Sequence, residues 1–203
     1  MTKSITYYYS TYSAYAYIGH RHFLEIAARA GRSIVHRPFD LNRCLDNNGS
    51  QPWDDRTKAN LDYHFERQRM RWSAFRGVEM PQVTPSTHSN AADVGDRAVI
   101  AGEKLGLDVD ALSTLLLNNH WQRDLDLSRA DLVRDCLAQN GIDTGPLFAR
   151  MEHPDVAAEY AANTDEAIAL PLFGSPSYVV DGDMFYGQDN LVLVEQALRE
   201  PFA

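Results

Sequence analysis

The segment Phe173-Gly174-Ser175-Pro176-Ser177-Tyr178-Val179-Val180-Asp181-Gly182-Asp183-Met184-Phe185-Tyr186-Gly187-Gln188-Asp189 constrains the fold most, because it joins a turn proline, a hairpin and a helix start. Ser177 to Val180 is a short apolar run, Asp181-Gly182 is the type I′ hairpin signal, and Asp183 to Tyr186 is the return strand. Pro176 lacks a backbone donor, so it belongs at the start of the first strand, in a tight turn where cis bonds are retained. With a cis Ser175-Pro176 bond, the Ser175 N–H and C=O are expected to turn away from the sheet and stay free for an extended ligand. Leu191, Val194 and Leu198 then follow at helical spacing behind Asp189, a carboxylate suited to capping. A helix start offers N–H groups and a dipole to a carboxylate, while Asp189 can pair with an ammonium, so a peptide-like ligand with an α-amino acid at one end fits both.

The N-terminal forty residues read as strand, helix, strand. Ser4 to Tyr9 is β-branched and aromatic, Tyr12-Ser13-Ala14 leads into a helix bearing Phe23, Ile26, Ala27 and Ala30, and Gly31 ends it before the strand Ser33 to Phe39. The crossover is expected to be parallel. Asp40 to Trp53, rich in Asn, Asp and Gly, reads as a loop. Helical patterns follow at Thr57 to Phe75, Ala91 to Lys104, Val109 to Trp121, Arg129 to Asn140 and Asp155 to Leu170, broken by Gly77, Pro81, Gly106, Gly141 and Pro154. No repeat or low-complexity linker interrupts them.

At 203 residues the chain can bury one substantial core, and its net charge of −9 argues against a nucleic-acid surface. Arg67, Arg69, Arg71 and Arg76 form the most basic stretch and are expected to be mostly solvated helix charges. Cys44 and Cys136 lie far apart without a C-x-x-C motif, and the histidines show no ligand spacing, so neither dithiol redox chemistry nor a metal is expected. With no apolar span and no leader pattern at the N-terminus, a cytoplasmic protein with reduced thiols is the expectation.

The order βαβ, helices, ββα resolves into one four-stranded mixed sheet if the C-terminal hairpin joins the N-terminal strands, leaving the helices as an insertion. This α/β arrangement looks like the thioredoxin fold, with residues 1–40 and 171–203 as the thioredoxin-like part and residues 41–170 as the helical insertion and connecting loops. In that topology Ser13 and Ser175 face each other across a cleft.

The junction Tyr8-Tyr9-Ser10-Thr11-Tyr12-Ser13-Ala14-Tyr15-Ala16-Tyr17-Ile18 resembles that of the 2-hydroxychromene-2-carboxylate isomerases, which group with the kappa-class glutathione transferases and the DsbA oxidoreductases. Gly174-Ser175-Pro176 and Phe185-Tyr186-Gly187-Gln188-Asp189 match the family's Gly-Val-Pro and Phe-Trp-Gly-x-Asp segments, and Arg76-Gly77-Val78-Glu79-Met80-Pro81 is similar as well. The resemblance implies a glutathione site. In it, Ser13 hydrogen-bonds the sulfur where oxidoreductase relatives keep a cysteine, Ser175 and Pro176 meet the cysteinyl backbone, and Tyr186, Gly187, Gln188 and Asp189 hold the γ-glutamyl end. Ala14 stands in place of the family's proline, Ser10 in place of an Asp, and Asp46-Asn47-Asn48-Gly49-Ser50 in place of a Lys-Ala-Thr-Gly-Asn-like loop; Asn90 corresponds to the Asn of a Pro-x-Asn loop.

A hydroxyl donor and a helix N-terminus favour the thiolate of a group whose free pKa is about 8.5. The activity implied is glutathione-dependent isomerisation of 2-hydroxychromene-2-carboxylate to trans-o-hydroxybenzylidenepyruvate, with Ser13 as thiolate stabiliser. A kappa-type transferase or peroxidase and a non-catalytic thiol-binding protein are the alternatives. Tyr12, Trp53, Tyr63 and Trp72 are candidates to pack the ring of a small aromatic carboxylate, with Arg67, Arg71 or His88 for its carboxylate. The resemblance further implies a homodimer.

Overall fold

In a computed structural model, residues 3–51 and 53–202 are described, the Trp53 side chain excepted. Strand β1 (Ser4–Tyr9) leads into helix α1 (Ala14–Arg29), and β2 (Ser33–Pro38) returns beside β1 in parallel. The C-terminal hairpin β3 (Ser177–Val180) and β4 (Asp183–Tyr186) completes a sheet of order β2-β1-β3-β4, with β3 antiparallel to both neighbours. Asp181 and Gly182 both have positive φ, 51° and 98°, the geometry a type I′ turn needs. The expected strands and their order are all present.

Strand alternation divides the core. Ile5, Tyr7 and Tyr9 face one side with Tyr178 and Val180, whereas Tyr8 faces the other with Val179. On the first face the Tyr7 ring stacks on Tyr9 at 4.2 Å and on Tyr178 at 5.3 Å between centroids. Full burial of such rings contributes about 1.5–3 kcal/mol apiece. Residues of α1, of α5 (Asp93–Lys104) and α6 (Val109–Arg123) among the inserted helices, and of α10 (Leu191–Arg199) share this one core, so the insertion is continuous with the sheet domain.

The stretch read as a loop from Asp40 contains a helix, α2 (Leu41–Asn47), whose N-cap Asp40 accepts the Arg43 N–H at 3.0 Å. It forms because Cys44 seats in the smaller core beneath Tyr8 and Phe39, burial that outweighs the weak helix propensity of its Asn and Asp. The expected helix from Thr57 is instead a continuous run in three parts: α3 (Lys58–Leu61), a π-helical segment (Asp62–Gln68) and α4 (Arg69–Arg76). After α7 (Ala130–Gln139) comes a further helix that was not expected, α8 (Thr144–Met151), capped by Asp143 and burying Leu147, Phe148 and Met151; α9 (Pro154–Ala169) follows. Among the described residues no helix is long and apolar enough to cross a membrane.

Candidate functional site

The Ser175-Pro176 bond is cis, and the two serines meet, as the topology required. Ser13 caps α1, its Oγ accepting the Ala16 N–H at 3.3 Å, and the same hydroxyl donates to the Ser175 carbonyl at 3.1 Å. In return the Ser10 N–H donates to the Ser175 hydroxyl at 3.2 Å. Both serines are almost enclosed, at 6% and 8% exposure. One expectation is corrected here. The Ser175 C=O is not left free, because the α1 N-cap lies directly beneath it and the Ser13 hydroxyl donates to it.

Behind the junction stands Asp96 of α5, fully buried at 0% exposure. It accepts the Thr11 N–H at 2.7 Å, the Thr11 hydroxyl at 2.8 Å, the Ser10 hydroxyl at 2.8 Å and the Tyr160 hydroxyl at 3.3 Å. Burial without a paired cation opposes ionisation more strongly than these donors favour it, and the carboxyl is pushed up to about 7. Sequence reading passed over this residue. Its only signal was an acidic side chain on the apolar face of a helix otherwise built from Val94, Gly95, Ala98 and Val99. Ser10 thus meets a carboxylate that comes from another element.

The turn after β4 is held from below. The Gly187 N–H donates to the Pro176 carbonyl at 2.8 Å, and the Gly187 φ of 90° excludes a side chain without strain. That amide is therefore engaged and not one of the free N–H groups expected of this helix start. Gln188 is fully buried, its Cβ against Gly19, with Arg76 Nε donating to Oε1 at 3.1 Å and Nη2 to its carbonyl at 2.9 Å. Its side chain props the turn from inside and only its backbone can meet a ligand. Asp189 does not cap α10, which begins at Asn190 without a side-chain cap, so its carboxylate stays available to the cleft.

A cleft of about 170 Å³ opens between this turn and the helical run, lined by Tyr15, His64, Gln68, Trp72, Ser175, Tyr186, Gly187, Asp189 and Asn190. The Tyr15 hydroxyl donates to the His64 carbonyl and so ties α1 to the π-helical wall. Burial, then Arg56, lower the His64 imidazole below its ordinary value.

Of the proposed aromatic partners, Trp72 lines this cleft; Tyr63 does not, and the Trp53 side chain lies outside the described residues. Tyr12 and His88 pack on each other with ring centroids 5.2 Å apart and do not line it either. Arg67 and Arg71 remain outside on the helix surface, Arg71 donating to Gln68. The neighbouring Arg69 and Arg76 depart from the solvated expectation. Arg69 is 3% exposed above the Trp121 ring, held by Thr84 and Gln82, and Arg76 is spent on Gln188. Asn90 donates to Asp126 at 2.9 Å and also lies off the cleft. Cys44 is buried beside the Leu172 carbonyl, its thiol pushed up to about 11 by burial, and no cysteine lines the cleft.

The model of the DsbA-like thioredoxin domain matches residues 4–199 of the chain. A 2-hydroxychromene-2-carboxylate isomerase of Sphingobium xenophagum is 26% identical over 98% of this chain and 100% of its own length. Among solved structures, a 2-hydroxychromene-2-carboxylate isomerase superposes with a TM-score of 0.81 at 20% identity, covering 96% of this chain and 94% of the other. The cytosolic disulfide reductase DsbM of Pseudomonas aeruginosa, solved with GSH, superposes with a TM-score of 0.65 at 14% identity, covering 98% and 93%.

Proposed function

Because this chain belongs to the DsbA-like thioredoxin domain family and carries a serine at the junction where a redox member needs a thiol, we propose that it is a glutathione-dependent isomerase acting on 2-hydroxychromene-2-carboxylate. The observation that carries this reading is the convergence of Ser13 and Ser175 at the N-terminus of α1, with no cysteine in the cleft beside them. The names of similar proteins support the substrate, and the glutathione bound to DsbM supports the tripeptide.

The donor set suits such a ligand. The Ser13 hydroxyl rotates from the Ser175 carbonyl to a sulfur, exchanging one hydrogen bond for a charge-assisted one, and the helix N-terminus adds its positive potential. Asp189 receives the ammonium of the γ-glutamyl group, with Tyr186 and the Gly187-Gln188 backbone beside it. Ser175 aligns the central backbone. Glutathione held there would supply a thiolate able to add to the conjugated system, so that a double bond becomes single and rotates, and to leave again by elimination, which restores the double bond. Ser13 is then a stabiliser of negative charge on sulfur and not itself a nucleophile.

Titration of the protein with glutathione, followed by thiolate absorbance in the ultraviolet and by calorimetry, tests this. Binding with thiolate formation near neutral pH is expected, and Ser13→Ala should lose most of the thiolate signal. Absence of binding at saturating glutathione overturns the reading. Turnover of an aromatic halide but not of the hydroxychromene carboxylate replaces the isomerase by a kappa-type transferase.

A further inference from the structure

Around Ser175 the carbonyl groups are already taken. The Ser177 hydroxyl donates to the Gly174 carbonyl at 2.8 Å, the Ser13 hydroxyl to that of Ser175 at 3.1 Å, and the Gly187 N–H to that of Pro176 at 2.8 Å. The Ser175 Oγ accepts the Ser10 N–H at 3.2 Å, which occupies one of its two lone pairs. Two hydrogens remain on this residue. Neither its backbone N–H nor its hydroxyl hydrogen has an acceptor among the described residues, although the residue is only 8% exposed.

That small exposure opens on the cleft, which Ser175 lines together with Tyr186, Gly187 and Asp189. A nearly buried donor without an acceptor is costly, so a donor held in place at a cleft wall suits a ligand acceptor. The Ser13 hydrogen must first leave the Ser175 carbonyl to reach such an acceptor, whereas the Ser175 hydroxyl hydrogen is free as it stands. An oxygen that accepts a hydrogen bond donates a stronger one, so the Ser10 N–H polarises this O–H. Ser10 is in turn held by its own hydroxyl on Asp96 at 2.8 Å. Because Oγ is tied to the strand-to-helix junction, its hydrogen lies beside the N-terminus of α1, where negative charge is favoured.

We infer that the Ser175 hydroxyl is a catalytic donor to the glutathione sulfur, sharing the thiolate with Ser13. This rests on the glutathione reading of the cleft and adds a side-chain role to the backbone alignment given to Ser175 above. The S–H bond breaks, its proton passes to solvent, and the sulfur keeps the electron pair that both hydroxyls then hold. A thiolate has lone pairs enough for two donors. The Ser175 N–H stays available for a carbonyl of the tripeptide, so one residue meets both its backbone and its sulfur.

Thiolate absorbance of the glutathione complex, titrated against pH, tests this without reference to activity. Ser175→Ala should raise the pKa of the bound thiol by about one unit, and so lower the thiolate fraction about tenfold below that pKa, the size of one hydrogen bond to a charged group. The titratable groups around the cleft, Tyr15, His64, Tyr186 and Asp189, and Asp96 behind Ser10 are common to wild type and variant, so the difference reports the hydroxyl. Ser175→Thr keeps the hydroxyl and should titrate as wild type does. S-Methylglutathione has no ionisable thiol and its thioether is a weak acceptor, so Ser175→Ala should bind it as well as wild type does. A crystal structure of the wild-type complex should place the glutathione sulfur within hydrogen-bond reach of Ser175 Oγ; a sulfur beyond that reach overturns the assignment whatever the variants do. An alanine variant that titrates like wild type, or that loses S-methylglutathione as heavily as glutathione, also overturns it and leaves the cleft a glutathione site. Wild-type protein that binds no glutathione overturns the function proposed above, and the role of the Ser175 hydroxyl falls with it.

Discussion

The sheet side of the cleft and its helical side hold their residues by different means. At the junction, Ser10, Thr11 and Ser13 are buried and each is fixed by a hydrogen bond from another part of the chain, Asp96 or Ser175. On the opposite wall His64 is exposed on a π-helical turn, an arrangement often found at functional sites, and its main tie to the sheet side is the Tyr15 hydroxyl on its carbonyl. A buried network is rigid because every polar group lost there is left without water, whereas an exposed turn can adapt at small cost. The serine junction is therefore preorganised and the wall facing it is adjustable.

The largest effect that would break this contrast is at Asp96. Asp96→Ala strands the Thr11 N–H and the hydroxyls around it, and a loss of about 3–5 kcal/mol in denaturant unfolding is expected. A loss below about 1 kcal/mol would show that the junction stands without its carboxylate. Asp96→Asn keeps the shape and removes the charge. Because the folded carboxyl sits near 7, above its unfolded value, the folded protein binds the extra proton between about pH 4 and 7. Stability conferred by this group therefore falls as pH rises through that window, by at most about 1.4 kcal/mol per unit, and is flat above it. The difference between wild type and Asp96→Asn should show that slope; parallel curves refute it.

Next comes Gly19→Ala, whose Cβ would meet Gln188 Cβ at 2.5 Å. Neither α1 nor the Gln188 backbone can yield easily, so about 1–3 kcal/mol of destabilisation is expected together with weaker glutathione binding, read by calorimetry. Ser13→Ala loses a helix cap and should cost about 1 kcal/mol by thermal unfolding. His64→Ala sharpens the comparison from the other side. It should change stability by no more than about 0.5 kcal/mol, while the KM for the second substrate moves; a cost like that of Ser13→Ala would mean that this wall is as fixed as the junction.

The hairpin, the cis-compatible proline and the βαβ unit were legible because each is written in adjacent residues: Asp181-Gly182 for the turn, alternating aromatics for β1, apolar spacing for α1. Helices α2 and α8 were not, since Asn and Asp in the first and Gly145-Pro146 in the second outweighed a few apolar positions whose burial only the folded core supplies. The convergence of Ser13 with Ser175 followed from topology. The inward turn of Gln188 and the engagement of the Ser175 carbonyl did not, because register fixes which segments meet but not which lone pair a hydroxyl selects.

By itself, the sequence determined the periodicities and turn residues, and through them the order of strands and the family to which the chain belongs. Tertiary structure alone decided that a carboxylate from α5 secures the junction and that the His88 and His120 rings meet. The physical reason is range. Propensity and alternation act between neighbours along the chain, while desolvation and hydrogen-bond direction arise only when groups 85 or 32 positions apart are brought together away from water.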